Sequence, residues 1–167
     1  MSIFLRRLPK LFERRHRRFL RFYLLLYLAK FIAPGYRLKL PDMDWWHDDG
    51  FNRYLVRFGE YGWLNTERRW MLHQLLRLVS QIPGNTAECG VFKGASSFLI
   101  CSANTRSSHD KTHHVFDSFE GLSQPKAADG SHWEGGDLAV GLEIVREALS
   151  DFNRVAYHKG WIPDRFP

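Results

Sequence analysis

Apolar positions along this chain recur at helical spacing in several stretches, with short extended runs between them. From Leu11 to Ile32 nothing breaks a helix; Pro9 stands near its start and Pro34-Gly35 near its end. Phe12, Phe19, Tyr23, Leu26 and Phe31 can share one face of that helix, with Arg14, Arg17, Arg18 and Arg21 mostly on the other. Further on, Thr66 reads as the N-cap of a helix running to about Ser80. Trp70, Leu72, His73, Leu75, Leu76 and Val79 form its inward side, and Pro83-Gly84 stops it. Thr86–Val91 reads as a short strand, Ala95–Ala103 as an apolar helix of small residues, and Thr112–Asp117 as a second strand. A long loop with Pro125, Gly130 and Gly135-Gly136 leads to a helix from Asp137 or Leu138 to Leu149, with Leu138, Leu142, Val145 and Leu149 in phase. Arg154–His158 is a third strand. Strand, helix, strand, helix, strand predicts an α/β fold with a parallel sheet joined by right-handed crossovers.

Charge divides the chain more sharply than hydropathy does. Residues 1–40 hold eleven Lys/Arg and one acid, Glu13, for a net +10, while residues 41–167 hold 13 basic and 17 acidic residues, for a net −4. The overall +6 therefore belongs to an arm, and the mildly acidic body excludes a basic domain wrapped on nucleic acid. The predicted organisation is a basic amphipathic arm over 1–40, an acidic and aromatic linker over 41–65, and an α/β domain over 66–167. The longest apolar run, Phe22–Ala29, has eight residues, far below the roughly 18–20 that span a bilayer. A cationic helix face opposite leucines and aromatics suits the headgroup boundary of an anionic membrane, with residues 1–33 as the contacting segment. Each Lys or Arg near such a surface contributes about 1 kcal/mol. The same helix suits packing on the body or on a second copy in a homo-oligomer, and an RNA-binding arm is a further alternative. Lys30 interrupts the apolar stretch and no A-x-A site follows, which argues against a signal peptide.

With 44% apolar residues the chain can bury a core, so wholesale disorder is excluded. Cys89 and Cys101 are too few for a disulfide framework or a four-thiolate zinc site. The expected location is the cytoplasm, with the arm peripheral on the inner face of the membrane. The stretch Asp42-Met43-Asp44-Trp45-Trp46-His47-Asp48-Asp49 has no His/acid pair at metal-motif spacing and reads as a linker whose tryptophans tuck against the body.

Chemistry concentrates after the first strand. Gly90 and Gly94 bracket a turn at the carboxyl end of a parallel strand, where such sheets bind ligands. Gly90 permits a turn that a Cβ would block, and Gly94 lets the next helix begin close to a ligand. Ser96 and Ser97 bring hydroxyls and free N–H groups to the first helical turn. Neither G-x-G-x-x-G nor a Walker loop is present, which disfavours NAD and ATP. Asp117, at the tip of the second strand, is placed to accept bonds from ribose hydroxyls. A glycine turn and an acidic strand tip without a phosphate loop suit a nucleoside without pyrophosphate, such as S-adenosylmethionine. Each feature alone suits an ordinary strand–helix turn or a helix cap equally well.

Three blocks sharpen the reading: Gly84-Asn85-Thr86-Ala87-Glu88-Cys89-Gly90-Val91-Phe92-Lys93-Gly94, Phe116-Asp117-Ser118-Phe119-Glu120-Gly121-Leu122, and Lys159-Gly160-Trp161-Ile162-Pro163-Asp164-Arg165-Phe166-Pro167. In this order and separation they resemble the macrocin-type sugar O-methyltransferases, class I enzymes with a Rossmann-like parallel sheet that use S-adenosylmethionine. The resemblance runs from about Thr66 to Pro167. It implies that Glu88, Gly90 and Gly94 surround the methionine part of the cofactor, with Ser96 beside them and Lys93 contacting it through its backbone. It implies that Asp117 holds the ribose, Ser118 and Phe119 lie beside the adenine, and Gly160 and Trp161 close the adenine side. Thr66 is a further candidate for the cofactor carboxylate, beside its role as a cap. The acceptor implied is a small molecule or glycan hydroxyl.

Two departures from the family pattern stand out. Ser123 and Gln124 precede Pro125 where the pattern places a proline directly after the glycine-leucine pair. The pattern also continues beyond the third block into a strand whose tip carries the magnesium-binding acids and the residues that act on the acceptor hydroxyl. The expectation is thus a C-terminally truncated chain, with Mg2+ ligands outside it and the first strand paired on one side only. No catalytic or metal residue is named. His109, His113, His114 and His132 read as loop or strand-surface histidines. The competing readings are a non-catalytic membrane-associated remnant and another nucleoside-binding α/β protein.

Overall fold

The computed structural model describes residues 14–33, 44–60, 65–130, 132–162 and 164. Two compact units divide at Asn52/Arg53. In the first, α1 (Arg14–Ile32) realises the long unbroken stretch. Leu20, Tyr23, Leu24, Leu25, Tyr27, Leu28, Phe31 and Ile32 are all exposed on it. Positions 14, 18 and 21 lie on one line of the helix that continues through 25, 28 and 32, so polarity also changes along the axis, from arginine to leucine and isoleucine. The predicted linker holds structure of its own, a 3-10 turn at Asp44–His47 and the helix α2 (Asp49–Arg57). Asp48 caps α2, its Oδ1 accepting from Phe51 N at 2.8 Å.

The second unit carries α3 (Thr66–Leu78), β1 (Thr86–Cys89), α4 (Ala95–Asn104), β2 (His113–Asp117), α5 (Leu142–Ala148) and β3 (Val155–Lys159). The sheet is parallel in the order β1-β2-β3, with Glu88 opposite Val115 and Val115 opposite Tyr157. Among the described residues β1 is an edge strand, paired with β2 alone. Register puts Thr86, Glu88, His113 and Val115 on one face, and α4 covers that face. Val91, Val115, Phe119, Val145 and Leu149 form the core between sheet and helices, with Phe98, Val140, Leu142, Phe152 and Tyr157 packed around it.

Several elements differ from their prediction, each for a local reason. The last helix begins at Leu142 because residues 135–138 form a turn instead. Leu138 there has φ +62° and Gly136 N donates to Leu122 O at 2.8 Å, so the in-phase leucine is not helical. Thr66 is the first helical residue and not the cap; it is buried, its Oγ1 donating to Glu60 O at 3.0 Å. Leu75 and Val79, assigned to the inward side of α3, are exposed.

Candidate functional site

The turn after β1 brings the carboxyl ends of the strands together. Gly90 N donates to Phe116 O at 2.9 Å, and Gly160 N to Asp117 O at 2.9 Å, so the chain leaving each strand is tied to its neighbour. Gly90 and Gly94 adopt φ +79° and +80°, the left-handed region open to glycine. A Cβ on Gly90 would meet no heavy atom within 4 Å; the conformation, and not a steric block, calls for glycine there. The Asp117 carboxylate fastens the turn from the side: Oδ2 accepts from Val91 N and Oδ1 from Phe119 N, each at 2.7 Å.

A cavity of about 350 Å³ opens over this junction, lined by Gly90, Phe92, Asp117, Ser118, Gly121, Leu122, Leu138, Gly160, Trp161 and Ile162. Its walls are mainly apolar with one carboxylate among them, the usual make-up of a small-molecule site. Phe92 and Leu138 hold positive φ, +48° and +62°, a strained backbone state for bulky side chains. The cavity keeps its shape because two loops cross backbone to backbone at Gly121. Leu122 N donates to Asp137 O at 2.8 Å, and a Cβ on Gly121 would stand 2.5 Å from the carbonyl oxygens of Gly136 and Asp137.

Below the turn runs a buried hydrogen-bond chain whose direction is internally fixed. Ser97 Oγ donates to Glu88 Oε2 at 2.5 Å, so it must accept from His113 Nε2 at 3.1 Å. His113 Nδ1 then accepts from Thr86 Oγ1 at 3.1 Å, and Thr86 in turn accepts from Asn104 Nδ2 at 2.8 Å. His113 and Ser97 are fully buried. Burial, and secondarily His114 nearby, lowers the His113 pKa from 6.5 to about 4, so the ring is neutral at physiological pH. Burial also raises the Glu88 carboxyl above its ordinary value, with Asp117 adding to the rise and Ser97, Ser96 and Arg69 opposing it. Arg69 reaches this cluster from α3, bonding Ser96 Oγ through Nη1 and Glu60 Oε1 through Nη2 at 2.9 Å.

The family model for macrocin O-methyltransferases (TylF) matches residues 61–167, more than half of the chain. The chain belongs to that family. Among solved structures, seven chains match. One, the O-methyltransferase NovP, is 27% identical with a TM-score of 0.47, over 61% of this chain and 48% of NovP. The chain thus spans about half the length of NovP. No curated protein matches.

Within this macrocin O-methyltransferase family member, the residues singled out from sequence divide into three groups. Gly90, Asp117, Ser118, Gly160 and Trp161 line the cavity together. Glu88 and Ser96 meet beneath the turn beside Arg69. Gly94 caps α4 against Val145, while Lys93 is exposed, its Nζ over the Phe92 ring at 5.3 Å. Phe119, expected beside the adenine, is buried in the core cluster with Val91, Val115, Val145 and Leu149, at a φ of +59°. Ser97 faces inward to Glu88 and His113, not outward to a ligand. His113, read as a surface histidine, is buried, since it lies on the sheet face that α4 covers. Thr66 bonds Glu60 O, so neither of its sequence readings describes its contact.

Sequence reading missed Arg69, Phe92, Gly121, Leu122, Leu138 and Ile162. For Arg69 a signal existed: it lies three residues after Thr66 and four before His73, the spacing of an inward face.

Proposed function

We propose that residues 53–167 bind S-adenosylmethionine and act in methyl transfer to a hydroxyl of a small-molecule or glycan acceptor, with a sugar hydroxyl as the leading candidate. The observation that carries this reading is the Asp117 carboxylate, 2.7 Å from Val91 N, inside the cavity that Gly90, Gly160 and Trp161 share. The residues fit the cofactor on three counts. Each Asp117 oxygen accepts one backbone N–H, which leaves acceptor capacity for two ribose hydroxyls. Trp161, Leu122 and Ile162 offer apolar surface to an adenine ring, and Ser118 stands next to Asp117. The space beside Gly90 is open, so a chain of atoms can cross the turn toward Glu88 and Ser96.

When bound, S-adenosylmethionine supplies an electrophilic methyl on sulfonium. The chain's own residues hold and orient it, and orientation of two bound partners can supply a large part of the rate gain in a displacement. Among the described residues no three His, Cys, Asp or Glu side chains converge as metal ligands, and no step is assigned to magnesium. The partner proposed for the arm is an anionic membrane surface, supported by the arginine-rich start of α1 and the exposed apolar residues that follow. No helix among the described residues is long and apolar enough to cross a membrane.

The test is isothermal titration of the full chain with S-adenosylhomocysteine. Saturable single-site heat, competed by adenosine, is the expected result; a flat titration at protein concentrations that report micromolar binding refutes the reading.

A further inference from the structure

Arg69 is a half-buried cation with unused valence. Its side chain is 21% exposed and that of its partner Glu60 12%. A guanidinium presents five N–H donors in a planar fork, and only two here have partners among the described residues, Glu60 Oε1 and Ser96 Oγ. The buried Nε has none, and the buried Glu60 Oε2 likewise lacks a donor. A buried donor left unmade is costly, and completion by a ligand is one way a fold recovers that cost. Burial works against the Arg69 charge, but Glu60 and Glu88 outweigh it and keep the guanidinium protonated.

The location gives this valence a direction. Ser96 lies in the first turn of α4, at the opposite end of the Gly90–Gly94 turn from Val91 and Asp117. Ser96 therefore contacts both a cationic fork and the Glu88 carboxylate. A cation and an anion flanking one hydroxyl complement a zwitterion, with carboxylate toward the fork and ammonium toward Glu88.

We infer that Arg69 binds the α-carboxylate at the amino-acid end of the cofactor, with Glu60 holding the fork in place. This rests on the S-adenosylmethionine reading and extends it to a residue on α3. Arginine suits the role because its planar fork meets a carboxylate with two parallel bonds, which the point charge of lysine does not.

The experiment compares two ligands on the full chain by calorimetry: S-adenosylhomocysteine and 5′-methylthioadenosine, the same nucleoside thioether without the amino-acid end. Arg69→Gln is expected to weaken S-adenosylhomocysteine about tenfold or more, leaving methylthioadenosine within about twofold. Should Arg69→Gln fail to fold by circular dichroism, Arg69→Lys carries the test, with a smaller loss confined to S-adenosylhomocysteine. Equal weakening of both ligands makes Arg69 merely structural and overturns the inference. So does wild-type protein that binds the two ligands equally well. If wild type binds neither, the cofactor reading itself fails and the role of Arg69 falls with it.

Discussion

The His113→Phe substitution tests the buried chain beneath the turn through its pH dependence. Above pH 6.5 the ring is neutral in both folded and unfolded states. Below it the unfolded chain takes up a proton that the folded chain refuses until about pH 4. Stability from this group is therefore complete above pH 6.5 and falls as pH falls across that window. Linkage makes the loss about 1 kcal/mol between pH 7.5 and 5.5, and roughly 2–3 kcal/mol by pH 4.5. Glu88 pulls the other way: its raised pKa favours the folded state at low pH and fades as pH rises. Glu88 is present in both proteins, so the difference between them isolates His113. At pH 7.5 the phenylalanine leaves the Thr86 hydroxyl and Ser97 short of one partner each, costing about 1–2 kcal/mol. At pH 4.5 that deficit should vanish or invert. Urea unfolding followed by tryptophan fluorescence at both pH values measures it. A deficit that stays the same at pH 7.5 and 4.5 would refute the burial of a neutral His113 ring.

Three further outcomes are expected. Gly121→Ala should destabilise the chain by about 2–4 kcal/mol, because its Cβ meets two carbonyl oxygens. Gly130→Ala, with a similar φ of +77° but open space, should cost only about 1 kcal/mol; equal melting shifts would contradict the loop crossing. Ellman's reagent should titrate one thiol in the native chain and two in urea. Cys89 is exposed, whereas burial pushes the Cys101 thiol up to about 12. Vesicles containing phosphatidylserine should carry the wild-type chain on flotation at low salt and less at high salt, and Leu25→Glu with Leu28→Glu should abolish it. A wild type that never floats removes the membrane as partner.

What could be read from the sequence was local. The three strands were legible as short extended segments, β1 between Gly84 and Gly90, β2 after a Ser/Asp-rich loop and β3 before Gly160, and Gly90, Gly94 and Asp117 sit within a few residues of strand ends. The loop-borne part of the cavity wall was invisible for a physical reason: Leu122 and Leu138 line it because two loops sixteen residues apart cross at Gly121, a contact no periodicity encodes. The same in-phase spacing that located α5 also enrolled Leu138, which the crossing holds in a turn. Burial of His113 depends on which sheet face a helix covers, and alternation alone leaves the choice of face open. Arg69 pairs with Glu60 from a segment that lay outside every motif.

The two backbone bonds on Asp117 settle how its role can be probed. The carboxylate is held by two backbone N–H groups in the folded chain, so the nucleoside proposed to bind there would meet it preset, with little side-chain entropy left to lose. The same anchoring means that altering the aspartate dismantles the bend it fastens, and a loss of affinity would then report on architecture and recognition at once. Editing the ligand separates them: 2′-deoxy and 3′-deoxy analogues remove one sugar contact each while the protein stays whole.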